Sequence, residues 1–164
     1  MLLVYYQSLK MSDTVTTTVT GIVRNSTSDR TLKELYLEAC RNKDIEKVKA
    51  CLVLGVDVNG RDDDDSKTPA LFRTCELECG ILDPQIKRNF DLLLLLLSQP
   101  TLDVNAKNDF GQTILMVACI EGRKDIVKRL CHTSIDFNCQ DEDGSTAAIC
   151  AVESFREKCV KILR

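Results

Sequence analysis

Shifted by 33 positions, the second half of this chain matches itself. Asn105 falls on Asn138, Gly111 on Gly144, Thr113 on Thr146 and Ala118 on Ala151. Arg123 falls on Arg156, Val127 on Val160, Lys128 on Lys161 and Leu130 on Leu163, which makes eight identities between positions 105 and 131. A tripeptide extends the pattern: Asp57-Val58-Asn59, Asp103-Val104-Asn105 and Asp136-Phe137-Asn138. The last two copies lie 33 apart and the first two 46 apart, so 13 residues are inserted between them. A period of this length points to a stacked array, because one such unit is too short to bury its own apolar face.

Each unit reads alike. A Gly-containing turn leads to Thr113 or Thr146 and a short apolar segment with small residues, such as Val117-Ala118-Cys119. A polar turn, Glu121-Gly122-Arg123, precedes a second segment from Asp125 to Cys131, in which Ile126, Val127 and Leu130 recur at helical spacing. The chain resembles the ankyrin repeat, whose signature opens Thr-Pro-Leu-His-x-Ala. Thr68-Pro69 matches that opening, and Thr113 to Ala118 and Thr146 to Ala151 match it at Thr and Ala. Tyr36-Leu37-Glu38-Ala39-Cys40, with Asp44-Ile45-Glu46-Lys47-Val48 and Gly55-Val56-Asp57-Val58-Asn59, looks like an N-terminal capping repeat of that family. The resemblance implies an all-α solenoid of stacked helix-turn-helix units joined by finger loops. The signature His is replaced by Met116 and Ile149, so the hydrogen bond it makes to the turn is expected to be missing. Near Thr68 the register is open by one or two residues, with Thr74 or Cys75 as the second small position.

This repeat explains Asp109-Phe110-Gly111, the tripeptide that holds magnesium in protein kinases. A kinase also needs a Gly-rich loop and a His-Arg-Asp loop. Here no Gly-x-Gly occurs, and the single His, His132, is followed by Thr133. The tripeptide is the turn before an inner helix, with Gly111 supplying positive φ.

Residues 1–28 are polar, Thr-rich and without period, and are expected to be a disordered tail. Met11 is a candidate second start site. The repeat domain spans 29–164, with repeats near 31–60, 61–105 (carrying the insertion), 106–138 and 139–164. The last stops inside its outer helix without a polar cap, leaving Val160 and Leu163 wanting a neighbour. The expectation is a fragment, a truncated isoform or one end of a longer array.

Aromatics make up 5% of the 164 residues and Trp is absent, so the core must come from Leu, Ile, Val, Ala and Cys. The net charge of −3 does not argue for nucleic acid. Nine cysteines cannot all pair, and Leu2 to Tyr6 is too short and lacks the basic start of a signal. The expectation is reduced thiols in the cytosol or nucleus, where the sequon Asn25-Ser26-Thr27 is idle. The apolar run from Leu92 to Leu97 is far short of the roughly 20 residues of a membrane span.

No constellation points to catalysis or a cofactor. His132 has no partner that the sequence identifies as an orienting group. Asp62-Asp63-Asp64-Asp65 reads as a solvated turn and lacks the spacing of a calcium hand. Cys40, Cys119 and Cys150 act as slightly larger alanines in packing. Cys75 and Cys79 share a helix face beside the insertion and keep open a metal or redox role.

What remains is a recognition surface. In the family, partners bind the turn tips and the exposed side of the inner helices. Carried over by register, the candidates are Asp109, Phe110, Gln112, Ile120 and Glu121 in the third repeat. In the fourth they are Glu142, Asp143, Ser145, Glu153 and Ser154, and Asp62 to Asp65 add to the tips. Phe110 is either a contact anchor or folds against the neighbouring tip. The outer helices carry base: Lys43, Lys47, Lys49, Lys124, Lys128, Arg129, Lys158 and Lys161. The expectation is a non-catalytic module, an adaptor or targeting arm, that binds a protein with a basic docking surface. Nucleic acid, membrane and small-molecule substrate are not expected as partners. The alternatives are a regulatory segment of a multidomain enzyme and a cysteine-based sensor.

Register makes one further statement. Aligning Asn105 with Asn138 buries Leu93, Leu94 and Leu97 and exposes Leu95 and Leu96. The insertion, near 78–89, is then expected to fold back over Leu95 or Leu96 as an added turn of helix, with Pro84 as a candidate start; the alternative is that these leucines meet a partner or a second copy.

Overall fold

The structure, a computed structural model, describes residues 17–18, 21, 31–61, 68–75 and 83–163. Helix α1 (Leu32–Arg41) begins at a reciprocal cap: the Glu34 N–H donates to Thr31 Oγ1 at 3.2 Å, and the Thr31 N–H donates to Glu34 Oε2 at 2.9 Å. Asp44 caps α2 (Ile45–Val53) by accepting from the Lys47 N–H. A 3-10 helix follows (Ala70–Thr74), then α3 (Asp83–Leu97), α4 (Ile114–Ile120), α5 (Lys124–Leu130), α6 (Ala147–Glu153) and α7 (Glu157–Leu163). Among the described residues there are no strands, only the isolated bridges Arg61–Pro69 and Lys107–Thr113.

These elements form two layers. The inner layer is α1, the 3-10 helix, α4 and α6, each packed on the next. The outer layer is α2, α3, α5 and α7, stacked in the same order. One continuous core lies between them. It holds Leu37, Val48, Leu71, Leu92, Leu93, Leu96, Leu115, Ile126, Val127 and Leu130, together with the thiols of Cys40, Cys51, Cys75, Cys119, Cys150 and Cys159. In a core short of aromatics, cysteine fills positions between small inner helices and their outer partners. Two aromatics, Tyr36 and Phe72, are buried in it, and the Tyr36 hydroxyl donates to the Val58 carbonyl at 2.9 Å, closing the first unit over its turn.

Three expectations need correction. The leucine register is displaced by one: Leu92, Leu93 and Leu96 are fully buried, Leu94 is 36% exposed, and Leu95 and Leu97 are half-buried. The connector from Leu96 to Asp103 is one residue longer than that from Leu130 to Asp136, so an alignment anchored on the asparagines slips. The inserted residues from Asp83 to Asn89 do not fold back; they lengthen the outer helix at its N-terminal end, with Pro84 in its first turn. Asn89 is buried and Phe90 packs against the core. The turn bond expected to be missing is present in weaker form, because the Thr113 N–H donates to Met116 Sδ at 3.4 Å.

In the second unit the inner element is the 3-10 helix, with Thr74 as its last residue and Cys75 as its C-cap, both fully buried. Most of the Thr-rich stretch, Cys79 and Asp62 to Asp65 lie outside the described residues.

Candidate functional site

The finger before α4 is built by one side chain. Asn108 Oδ1 accepts from the N–H groups of Phe110 (3.1 Å) and Gln112 (2.9 Å). The Asn108 N–H donates to the Gln112 carbonyl, and the Gly111 N–H donates back to the Asn108 carbonyl. Gly111 takes φ 69° to close the turn. In the next finger Asp141 does the same work, accepting from Asp143 (3.1 Å) and Ser145 (2.8 Å) while Gly144 takes φ 78°. An acceptor oxygen two residues before the tip is what both turns need, and Asn and Asp supply it equally.

The fingers are tied to one another. The Glu142 N–H donates to the Phe110 carbonyl at 3.2 Å. Gly111 is required twice over, because a Cβ there would sit 3.0 Å from the Glu142 nitrogen. Arg61 Nη1 donates to the Lys107 carbonyl at 2.8 Å, and Lys107 Nζ donates to the Gln140 carbonyl at 2.8 Å. A second ladder runs behind the first: Asn59 Nδ2 donates to the Thr101 carbonyl, and Asn105 Nδ2 to that of Ser134. The Asp103 and Asp136 N–H groups return bonds to Asn59 and Asn105, each at 2.8 Å. The two described fingers and the base of the one before them, at Arg61, are thus held in fixed spacing, which lowers the ordering cost of binding.

Of the candidate contacts, Asp109, Phe110, Glu121, Glu142, Asp143 and Glu153 are exposed. Gln112, Ile120, Ser145 and Ser154 are half-buried. Gln112 Oε1 is occupied by Asn108 Nδ2, and the Ile120 carbonyl accepts from Arg156 Nε at 2.9 Å. Phe110 joins the neighbouring finger through its backbone carbonyl, and the residue is 68% exposed. On the outer layer, Lys47, Lys124, Lys128, Arg129, Lys158 and Lys161 are exposed, and Lys43 and Lys49 are half-buried. Lys47 and Lys49 pair with Asp44 and Glu46, so the uncompensated base lies on α5 and α7.

The remaining polar and thiol groups are structural in their geometry. Arg123 is buried, reaching the Thr74 carbonyl at 3.4 Å and the Asp125 carboxylate at 3.2 Å. Burial pushes the Cys75 and Cys119 thiols up to about 12 and Cys51 to about 11, so none is a thiolate at neutral pH. Among the described residues no three metal-ligating side chains converge. None of the described helices is long and apolar enough to cross a membrane.

Sequence reasoning had the asparagines as markers but missed what they bridge. Their fixed spacing was the available signal. It missed Arg61 and Lys107 altogether, since their bonds run to backbone carbonyls that any residue supplies.

Residues 85–164 match the family described as ankyrin repeats (3 copies). The chain is 33% identical over 138 residues to YahD of Escherichia coli (strain K12), which is named as an ankyrin repeat protein. That match covers 71% of this chain and 69% of the relative.

Proposed function

The chain belongs to the ankyrin repeat family, whose repeats generally mediate protein–protein interaction and are typically non-catalytic, and we propose that this one is a docking module for a protein with a basic surface. It acts as an adaptor or targeting arm inside the cell. The partner lies across the finger tips and the exposed side of the inner helices. Asp109, Glu142 and Asp143 meet its lysines and arginines, and Phe110 enters an apolar site between them.

One observation carries this reading. Phe110 and its acidic neighbours project from fingers whose backbones are already locked together, so that an apolar anchor stands in an acidic field on a rigid support. Anchors of this kind dominate binding energy, while surrounding charge sets encounter rate and selectivity. The buried, protonated Cys75 gives no support to a thiol sensor.

The test is association kinetics against a partner captured from the source cells. Replacing Asp62, Asp63, Asp64 and Asp65 by Asn slows association and flattens its dependence on salt. Unchanged kinetics and salt slope for that variant contradict a basic docking surface.

A further inference from the structure

The units are not joined alike. In the inner layer α4 packs far more extensively on α6 than on the 3-10 helix before it, and in the outer layer α5 packs more extensively on α7 than on α3. Among the described elements, the seam between the second and third units is thinnest in both layers. The second unit explains why. A 3-10 helix sets side chains at i and i+3 in line, so it offers no i±4 ridge to the grooves of α4. Helix α3 runs 15 residues against seven in α5, and only its stretch from Phe90 onward matches the helix it packs on.

Polar side chains hold this seam at its two edges. At the finger edge, Arg61 donates to the Lys107 carbonyl, and the Asn105 amide is bonded to Ser134 and Asp136. At the opposite edge, where the inner elements end, Arg123 spans the seam. Its Nη1 donates to the Thr74 carbonyl at 3.4 Å, while the Asp125 carboxylate holds Nε and Nη2 at 3.3 and 3.2 Å. Arg123 is 5% exposed, so these bonds are shielded from water. The equivalent residue one unit later, Arg156, donates to the Ile120 carbonyl, but it is exposed and the seam it spans is the thick one.

In a stacked array, stability is close to a sum of unit terms and nearest-neighbour seam terms, so the array divides where a seam is weakest. We propose that the chain is built as two blocks, units one and two and units three and four, hinged at the finger edge and latched at the opposite edge by Arg123, which Asp125 orients. Release of the latch changes the angle between the blocks, while Arg61 and Asn105 keep the finger bases together. The fingers with Asp109, Phe110, Glu142 and Asp143 ride on one block, so that surface keeps its shape as the array bends.

Native-state hydrogen exchange of the full chain over a series of low urea concentrations tests it. In the wild type, the amides of α1, α2 and α3 open as one group and those of α4 and α5 as another, each with its own urea dependence. Cys75, fully buried at the latch, is the second probe, since its thiol reacts with a labelling reagent only when the seam parts. Arg123→Gln removes a charged hydrogen bond from the thin seam, so Cys75 is labelled about tenfold faster or more. Arg156→Gln, at the equivalent place in the thick seam, leaves that rate within about twofold of the wild type. One common urea dependence for both groups of amides overturns the proposal. So does labelling of Cys75 that is no faster in Arg123→Gln than in Arg156→Gln. The grouping of amides is read on the wild type, so it decides the matter even where Arg123→Gln does not fold.

Discussion

The backbone N–H of Asp103 donates to Asn59 Oδ1 at 2.8 Å, across 44 positions of chain. The same bond joins Asp136 to Asn105 one unit later. Asn105→Ala removes both bonds its amide makes to the next unit, to Asp136 and to the Ser134 carbonyl. Each is partly solvent-exposed, so the expected loss is about 1–2 kcal/mol in urea unfolding. Asn138→Ala, at the matching place in the last described turn, should cost less than half of that. Equal losses for the two variants would contradict a ladder that couples units.

The leucine register gives a second test. Leu96 is fully buried between layers and Leu94 is the exposed member of the run. Leu96→Ala should cost about 2–5 kcal/mol, with a cavity left in the core. Leu94→Ala should stay within about 1 kcal/mol. The ranking reverses if the asparagine-anchored register were correct.

Local stability should fall along the array. Five residues of α4 are buried, against three of α6 and one of α7. Amide exchange is therefore expected to be faster in 147–163 than in 114–130 when measured on the monomer. Equal protection would mean that packing depth does not set local stability here.

Stability should decline at alkaline pH. The folded-state values of Cys51, Cys75 and Cys119 are raised by burial, to about 11, 12 and 12. A raised folded value stabilises fully below the unfolded value, near 8.5, and is lost as pH rises toward the folded one. The unfolding free energy should fall steadily between about pH 9 and pH 12. Replacing Cys75 by Ala should make that fall shallower, and an unchanged slope would show that its thiol ionises as freely folded as unfolded.

How far the sequence revealed this arrangement differs from place to place. The turns were legible, because Gly111, Asn108 and Thr113 do local work that leaves a fixed spacing. The layers were legible for the same reason in Ile126, Val127 and Leu130. The second unit was harder. Six consecutive leucines carry no period of their own, so the face could only be borrowed from an alignment, and one added connector residue displaced it. Its inner element is a 3-10 turn capped by Cys75, which no helical period announces. Finger candidates Asp109, Phe110, Glu142 and Asp143 followed from turn position. The coupling through Arg61 and Lys107 did not, because side chain to carbonyl bonds over 46 and 33 positions leave no trace in residue type.

The most direct measurement compares two charge-altered baits in a pull-down from the source cells. One carries Asp109→Lys, Glu142→Lys and Asp143→Lys on the fingers; the other carries Lys124→Glu, Lys128→Glu and Arg129→Glu on the outer helix α5. All six positions are exposed, so both baits should fold as the wild type does. The account predicts that partners of the wild-type bait are lost from the finger variant and retained by the α5 variant. Retention by the finger variant with loss from the α5 variant would contradict it.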